Sequence, residues 1–205
     1  MSKDWSGNSN SIYKTLGASN HTKEDREEND YYATSPSAAK MIIKMEKLNN
    51  NIWECSAGEK HLSNVFEESG YNVRSSDLIV RTKGVEKLDF LSPENNGWSG
   101  VDSYDILTNP PYKYSREFVE KAMNITPIGC KVIMFLKLQF LEGKARKILF
   151  EKYPPKTIWV SSSRITCAKN GDFKSMKDGG GSAVCYAFFV WEVGFKGVTS
   201  LKWFN

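Results

Sequence analysis

Apolar positions are sparse and aperiodic over residues 1–30, where Ser, Asn, Lys and Glu dominate. That stretch is expected to be a flexible, polar N-terminal arm, with the folded part running over 31–205. From there the apolar positions fall into short blocks of two kinds. After Ser35, the residues Ala38, Ala39, Met41, Ile42 and Met45 recur at helical spacing behind Pro36, a proline suited to the first helical turn. The Asn49-Asn50-Asn51 cluster is expected to stop this helix. Residues 61–69 form a second helical block, with Leu62, Val65 and Phe66 on one face and Gly70 behind it. Helices are also expected over 116–123 and over a basic stretch at 141–152 closed by Pro154-Pro155. Between them lie the blocks that predict strands: 52–55, 71–77, one ending at 88–91, 104–108, and the near-continuous apolar run 130–136, typical of a strand buried on both faces. Two more strands are expected at 156–162 and 183–192, separated by a polar, Gly-rich loop. Strands alternating with helices predict a doubly wound, mostly parallel α/β sheet, and the last two strands, with no helix between them, an antiparallel finish.

Composition narrows this further. A chain of 205 residues is one ordinary domain, with 40% hydrophobic, 13% aromatic and 25% charged residues, close to the average for globular proteins. No run approaches the ~18 apolar residues of a membrane span, and no apolar segment follows Met1, so neither a membrane partner nor a secretory signal is expected. Cys55, Cys130, Cys167 and Cys185 are scattered without a C-x-x-C pair. Neither a metal site nor a disulfide framework is expected, and a reducing cytoplasm is the default. The net charge of +4 hides an asymmetry: residues 113–177 hold fourteen Lys and Arg against five Asp and Glu, a net of +9, and the remainder fourteen against nineteen, a net of −5. By itself this describes a solvated Lys-rich surface; beside the right motif it describes a polyanion-binding side.

Two motifs carry chemistry. Glu54-Cys55-Ser56-Ala57-Gly58 runs from a strand end into a helix N-terminus, where small residues let a ligand approach the backbone. Asp77, at the end of the next strand, stands where an acid accepts from ribose hydroxyls. The second motif, Asn109-Pro110-Pro111-Tyr112, directly follows a strand. Its two prolines fix φ twice and remove two donors, so its carbonyls are expected to point outward unpaired. The Asn109 oxygen and the Pro110 carbonyl together suit the two hydrogens of a planar amine, and Tyr112 suits stacking on the attached ring.

Residues 105–112, Asp-Ile-Leu-Thr-Asn-Pro-Pro-Tyr, resemble motif IV of the S-adenosylmethionine-dependent amino methyltransferases. Residues 54–63 are similar to motif I of that family, Asp89-Phe90-Leu91 to the motif that holds the cofactor adenine, and 30–36 to the segment placed before motif I in the gamma order. The ending 183–197 resembles the closing hairpin of small phage-type adenine methylases. The resemblance implies a Rossmann-like class I methyltransferase domain with a seven-stranded, mostly parallel sheet and an antiparallel terminal hairpin, with S-adenosyl-L-methionine as cofactor. Tyr32, Thr34, Pro36, Glu54, Ala57 and Gly58 would line its methionine end, Asp77 would take the ribose, and Asp89 and Phe90 the adenine. Asn109, Pro110, Pro111 and Tyr112 would form the catalytic segment. One departure is Lys60, which stands where the family has glycine.

The implied function is methylation of the exocyclic amino nitrogen of adenine in DNA, with double-stranded DNA as partner in a bacterial or phage-infected cytoplasm. Adenine in RNA and a glutamine side chain in protein are the same-class alternatives, since the motif suits any planar amine. A non-catalytic nucleic-acid-binding module on the same scaffold is the different-class one. Lys113, Arg116, Arg164, Lys169 and Phe173 are the candidate nucleic-acid contacts. No separate target-recognition domain is expected, so specificity is assigned to the 163–182 loop, the N-terminal arm or a specificity partner. Methylation at a cytosine ring carbon is not expected, because that chemistry uses a cysteine following proline and none of the four does.

Overall fold

The computed structural model describes residues 32–163, 165, 167–169 and 184–205; the N-terminal arm, Arg164 and Phe173 lie outside the described residues. The elements run β1 (Tyr32–Thr34), α1 (Pro36–Met45), β2 (Asn51–Glu54), α2 (His61–Glu68), β3 (Asn72–Asp77), β4 (Glu86–Lys87), β5 (Asp105–Thr108), α3 (Ser115–Ile125), β6 (Lys131–Lys137), α4 (Lys144–Lys152), β7 (Thr157–Ser161), β8 (Cys167–Lys169), β9 (Tyr186–Glu192) and β10 (Ser200–Phe204). Short 3₁₀ turns at Tyr112–Tyr114 and Leu138–Leu141 precede α3 and α4.

Helix α1 starts where expected. The Ser35 side chain caps it by accepting from Ser37 N, and Pro36 occupies the first turn. It ends at Met45, before the asparagine cluster, whose side chains brace β2 instead: Asn49 Oδ1 accepts from Asn51 N at 3.0 Å and Asn51 Nδ2 donates to Ser103 O at 3.0 Å. The third strand ends at Lys87 rather than at Leu91. After one more bond, Leu88 N to Asp77 O at 2.9 Å, Asp89 turns the chain by accepting from Leu91 N at 2.9 Å.

The main sheet has the order β10-β7-β9-β6-β5-β2-β3-β4. Strands β2 to β6 pair in parallel, and β9 lies antiparallel between β6 and β7. The antiparallel finish is therefore present, but the sheet has eight strands rather than seven. The extra strand, β10, runs parallel to β7 and not as a hairpin with β9. Both edges of β9 are already taken, so the returning chain finds its hydrogen bonds on β7. A second sheet pairs β1 with β8 antiparallel, Thr34 opposite Cys167. Neither strand was expected; β8 lies in the polar loop read as irregular.

The sheet alternates between two cores. Ile133 and Phe135 of β6 face α1 and α2, with Leu62, Val65 and Phe66. Val132, Met134 and Leu136 face α3 and α4, with Phe118, Val119 and Leu149. Each large apolar side chain buried in either layer contributes about 1.5–3 kcal/mol relative to exposure. Asp105, buried at the start of β5, accepts from Asn49 N at 2.8 Å and Lys131 N at 2.7 Å, aligning three neighbouring strands at their N-terminal ends. Because β2, β3, β5 and β6 are parallel, their C-terminal ends share one edge. That edge carries Glu54, Asp77, Asn109 and Lys137. Among the described residues no helix is long and apolar enough to cross a membrane.

Candidate active site

Strand β2 ends on Glu54, which is 3% exposed. Ser63, in the first turn of α2, donates to Glu54 Oε2 from its backbone N–H at 2.8 Å and from its hydroxyl, and the Ser75 hydroxyl donates to Ser63 Oγ at 2.7 Å. The acid thus satisfies an otherwise orphaned donor at the start of the helix. Burial outweighs these bonds and raises its pKa from 4.5 to about 8.

The turn beyond Glu54 is tight. Ala57 N donates to Ser76 O at 3.0 Å, Lys60 N to Ala57 O at 2.8 Å, and Gly58 has φ +53°. Lys60, the departure from glycine, adopts the left-handed φ of +66° that a glycine would adopt more readily. Its ammonium binds Glu67 at 2.8 Å, offsetting part of that strain. Asp77 closes the turn: its Oδ2 accepts from Gly58 N at 2.8 Å and its Oδ1 from Ile79 N at 3.0 Å, with Arg81 Nη1 at 3.5 Å. Two of the three sequence-predicted cofactor acids, Glu54 and Asp77, thus share one turn, with Ala57 and Gly58 buried between them.

Asp89 is exposed, on the loop after β4. Phe90 is 2% exposed, packed edge-on to Trp53 at 5.4 Å and stacked on Phe118 at 4.9 Å between centroids. Its ring belongs to the core and is no platform for a ligand, and its carbonyl accepts from Asn95 Nδ2 at 2.9 Å.

In the catalytic segment, Asn109 Nδ2 donates to Thr34 Oγ1 at 2.8 Å. The amide is therefore oriented by β1, with its oxygen as the acceptor it presents. Pro110 is buried. The expectation of unpaired proline carbonyls fails at Pro111, whose oxygen accepts from Tyr114 N at 2.9 Å and opens the 3₁₀ turn leading into α3. A chain passing from strand to helix within four residues uses that carbonyl for its first turn. The Tyr112 hydroxyl is buried against Cys167 and Tyr186, and burial pushes the phenol well above its usual range. Lys137 Nζ lies 4.5 Å from the Tyr112 ring centroid.

The remaining candidates separate. Tyr32 lies in β1 beside Thr34, whereas Pro36, two residues beyond the strand, is exposed at the start of α1. Lys113 and Arg116 are exposed directly after the catalytic segment, Lys113 over Tyr114 at 5.1 Å and Arg116 paired with Glu120 at 3.6 Å. Lys169 ends β8, opposite Tyr32; Arg164 and Phe173 lie outside the described residues. Cys55 and Cys167 are buried, and burial raises both thiols, Cys167 to about 11, so neither is a ready nucleophile. Cys185 is exposed. Sequence reasoning missed Ser63, Cys167, Tyr186 and Lys137 at this site. Their only signal is position: each becomes a neighbour through strand pairing or through a helix turn.

No protein-family model matches the chain, and no curated protein matches it in sequence. Solved structures do resemble it. A Listeria monocytogenes protein assigned to the class I S-adenosylmethionine-dependent methyltransferases matches 88% of this chain and 68% of its own, with TM-score 0.55 and 14% identity. The methyltransferase subunit of a type I restriction-modification system from Streptococcus thermophilus matches with TM-score 0.54 and 13% identity over 82% of this chain. This chain spans 46% of that subunit, about half its length. A Lactococcus lactis protein assigned as a hemolysin matches with TM-score 0.55 and 11% identity, over 82% of this chain and 91% of its own. At such identities the likeness shows the fold alone, the Rossmann-like class I methyltransferase fold, and the range of assignments on it leaves activity to be argued from the site.

The raised pKa of Glu54 makes stability depend on pH. Between about 4.5 and about 8 the unfolded chain loses this proton while the folded chain keeps it, so stability falls as pH rises through that window and the loss is complete above it. Glu54→Gln is expected to remove this component. The Tm difference, variant minus wild type, should grow from pH 5 to pH 8 in thermal scans; parallel curves would show that Glu54 keeps an ordinary pKa.

Proposed function

We propose that this chain is an S-adenosylmethionine-dependent methyltransferase that acts on the exocyclic amino nitrogen of adenine in DNA. The observation that carries this reading is the hydrogen bond from Asn109 to Thr34, which fixes the amide with its oxygen as acceptor beside the Pro110 carbonyl and the Tyr112 ring. Nothing in the folding of a strand-to-helix turn requires that arrangement.

The residues at the neighbouring strand ends fit the cofactor. Glu54 and Asp77 bring two carboxylates to a glycine turn at the C-terminal edge of a parallel sheet, the place where such folds bind nucleosides. Glu54, Ala57 and Gly58 would hold the methionine end, Asp77 the ribose hydroxyls, and Asp89 the adenine amino group, with Phe90 contributing through its backbone. A carboxyl with a pKa near 8 ionises readily when a cation arrives beside it, so a sulfonium and an ammonium suit Glu54. When bound, the cofactor supplies a methyl group activated on a positively charged sulfur.

The chain's own contribution is orientation. An adenine amino nitrogen is a weak nucleophile because its lone pair is delocalised into the ring. Accepting both amino hydrogens, at Asn109 Oδ1 and Pro110 O, favours a tetrahedral nitrogen and localises the pair. Holding the base in line is worth up to ~7–11 kcal/mol of the barrier in favourable cases. Leaving a duplex costs the base a few kcal/mol, and stacking on Tyr112 returns about 1–3 kcal/mol. The basic stretch that begins at Lys113 supports a polyanionic substrate over a protein one.

Asn109→Ala is expected to abolish transfer from a radiolabelled methyl donor while cofactor affinity, measured by calorimetry, stays within a few-fold. Undiminished transfer would overturn the mechanism. Thr34→Val, which keeps the volume and removes the acceptor, should lower kcat by about tenfold, the cost of one lost hydrogen bond of roughly 1.5 kcal/mol. Thr34→Ser should restore most of it, and an unchanged kcat in the valine variant would show that Asn109 is oriented by other means. Reversing Lys113 and Arg116 to Glu should weaken duplex binding and reduce the slope of log affinity against log salt by about one per lost phosphate contact. Unchanged affinity and slope would move the footprint elsewhere.

A further inference from the structure

Beside Tyr112 lies a cavity of about 370 Å³ between the C-terminal ends of β5 and β6. Its polar lining includes Tyr112, Ser115, Lys137, Gln139, Glu142 and Arg146. Part of its polar wall is committed. Arg146 Nη1 donates to Gln139 O at 3.0 Å and Glu142 O at 2.9 Å, with its guanidinium over Phe140, and the Ser115 hydroxyl donates to Tyr112 O at 2.8 Å. Lys137 differs. It is half-buried, and among the described residues no carboxylate or carbonyl takes its ammonium; its Nζ sits over the Tyr112 ring at 4.5 Å. A cation held by an aromatic face alone leaves donors to be satisfied by whatever enters the cavity.

We propose that Lys137 reads the target base, donating a hydrogen bond to a ring-nitrogen acceptor of the base whose amine Asn109 and Pro110 hold. This rests on the adenine-transfer reading above and extends it to a residue outside the catalytic segment. Stacked rings lie with centroids ~4.5–7 Å apart, so a base on this face of Tyr112 meets the ammonium at contact distance. The flexible lysine stem lets the ammonium slide from the ring face to the edge of the incoming base. Each adenine edge carries a ring nitrogen, so the displaced cation exchanges one partner for another. A phosphate of the same nucleotide is separated from the stacked base by the sugar and lies farther from an ammonium already seated on Tyr112.

The test uses duplex oligonucleotides of degenerate flanking sequence with one target position: adenine, 1-deazaadenine, 3-deazaadenine or 7-deazaadenine. A further set has adenine flanked by a methylphosphonate. Single-turnover methyl transfer to that strand is read for the wild type, Lys137→Met and Lys137→Arg, with thermal melting as the check on folding. The wild type should lose roughly tenfold to a hundredfold on one deaza analogue, as for one hydrogen bond from a charged donor. Lys137→Met should show a comparable loss on adenine and no further loss on that analogue, with Lys137→Arg between the two. If Lys137→Met keeps the wild-type ranking of analogues, or if only its response to the methylphosphonate changes, base reading by Lys137 is overturned while adenine transfer stands. If the wild type transfers nothing to the adenine strand, both readings fall. Should Lys137→Met not fold, Lys137→Gln replaces it in the same comparison.

Discussion

The bond between Asn109 and Thr34 joins two parts of the fold that have no other reason to meet at this atom. Asn109 leaves the sheet at the end of β5, whereas Thr34 lies on β1, outside the main sheet and, among the described residues, paired with β8 alone. The small β1–β8 ribbon therefore packs over the Asn-Pro-Pro-Tyr segment. Through Thr34 it orients the amide, and through Cys167, directly opposite Thr34, it packs against the Tyr112 hydroxyl. Loss of the ribbon would leave the Asn-Pro-Pro-Tyr segment rigid, because of its prolines, yet with an amide free to turn.

A second constraint lies on the cofactor side. Glu54 and Asp77 first hold the protein itself together: one caps α2 through Ser63, and the other pins Gly58. An acid that both braces a turn and meets a ligand keeps the turn in place before the ligand arrives. The high pKa of Glu54 follows from the same burial that makes it a good brace. On the proposed reading, binding of the cationic cofactor beside Glu54 is linked to release of its proton, a connection that strand-end position alone would not reveal.

Much of this was legible in the sequence because the signals are local. The long apolar run of β6, the Ser35-Pro36 start of α1 and the Asn-Pro-Pro-Tyr turn each encode their structure within a few residues. Phe90 shows the limit of such reading: the pattern marks an aromatic beside Asp89, but only packing against Trp53 and Phe118 shows that its ring faces the core. Strands β1, β8 and β10 are short, and their pairing partners are set by which sheet edges remain open, a property of the whole chain. Lys137 is also invisible locally. It reads as the polar end of a buried strand until β5 and β6 are side by side. The charge asymmetry gains meaning in the same way: the carboxyls Glu54 and Asp77 and the cations Lys113 and Lys137 stand along one edge of the sheet, on either side of Asn109.

The identity of the methyl acceptor decides the proposed function. Incubation with labelled cofactor and separate pools of duplex DNA, RNA and protein, followed by mass-spectrometric identification of the modified residue, tests it directly. The expected product is adenine methylated on its exocyclic nitrogen in DNA, formed by the wild type. Label confined to RNA or to glutamine, or modification of a nucleobase at a ring carbon, would contradict it.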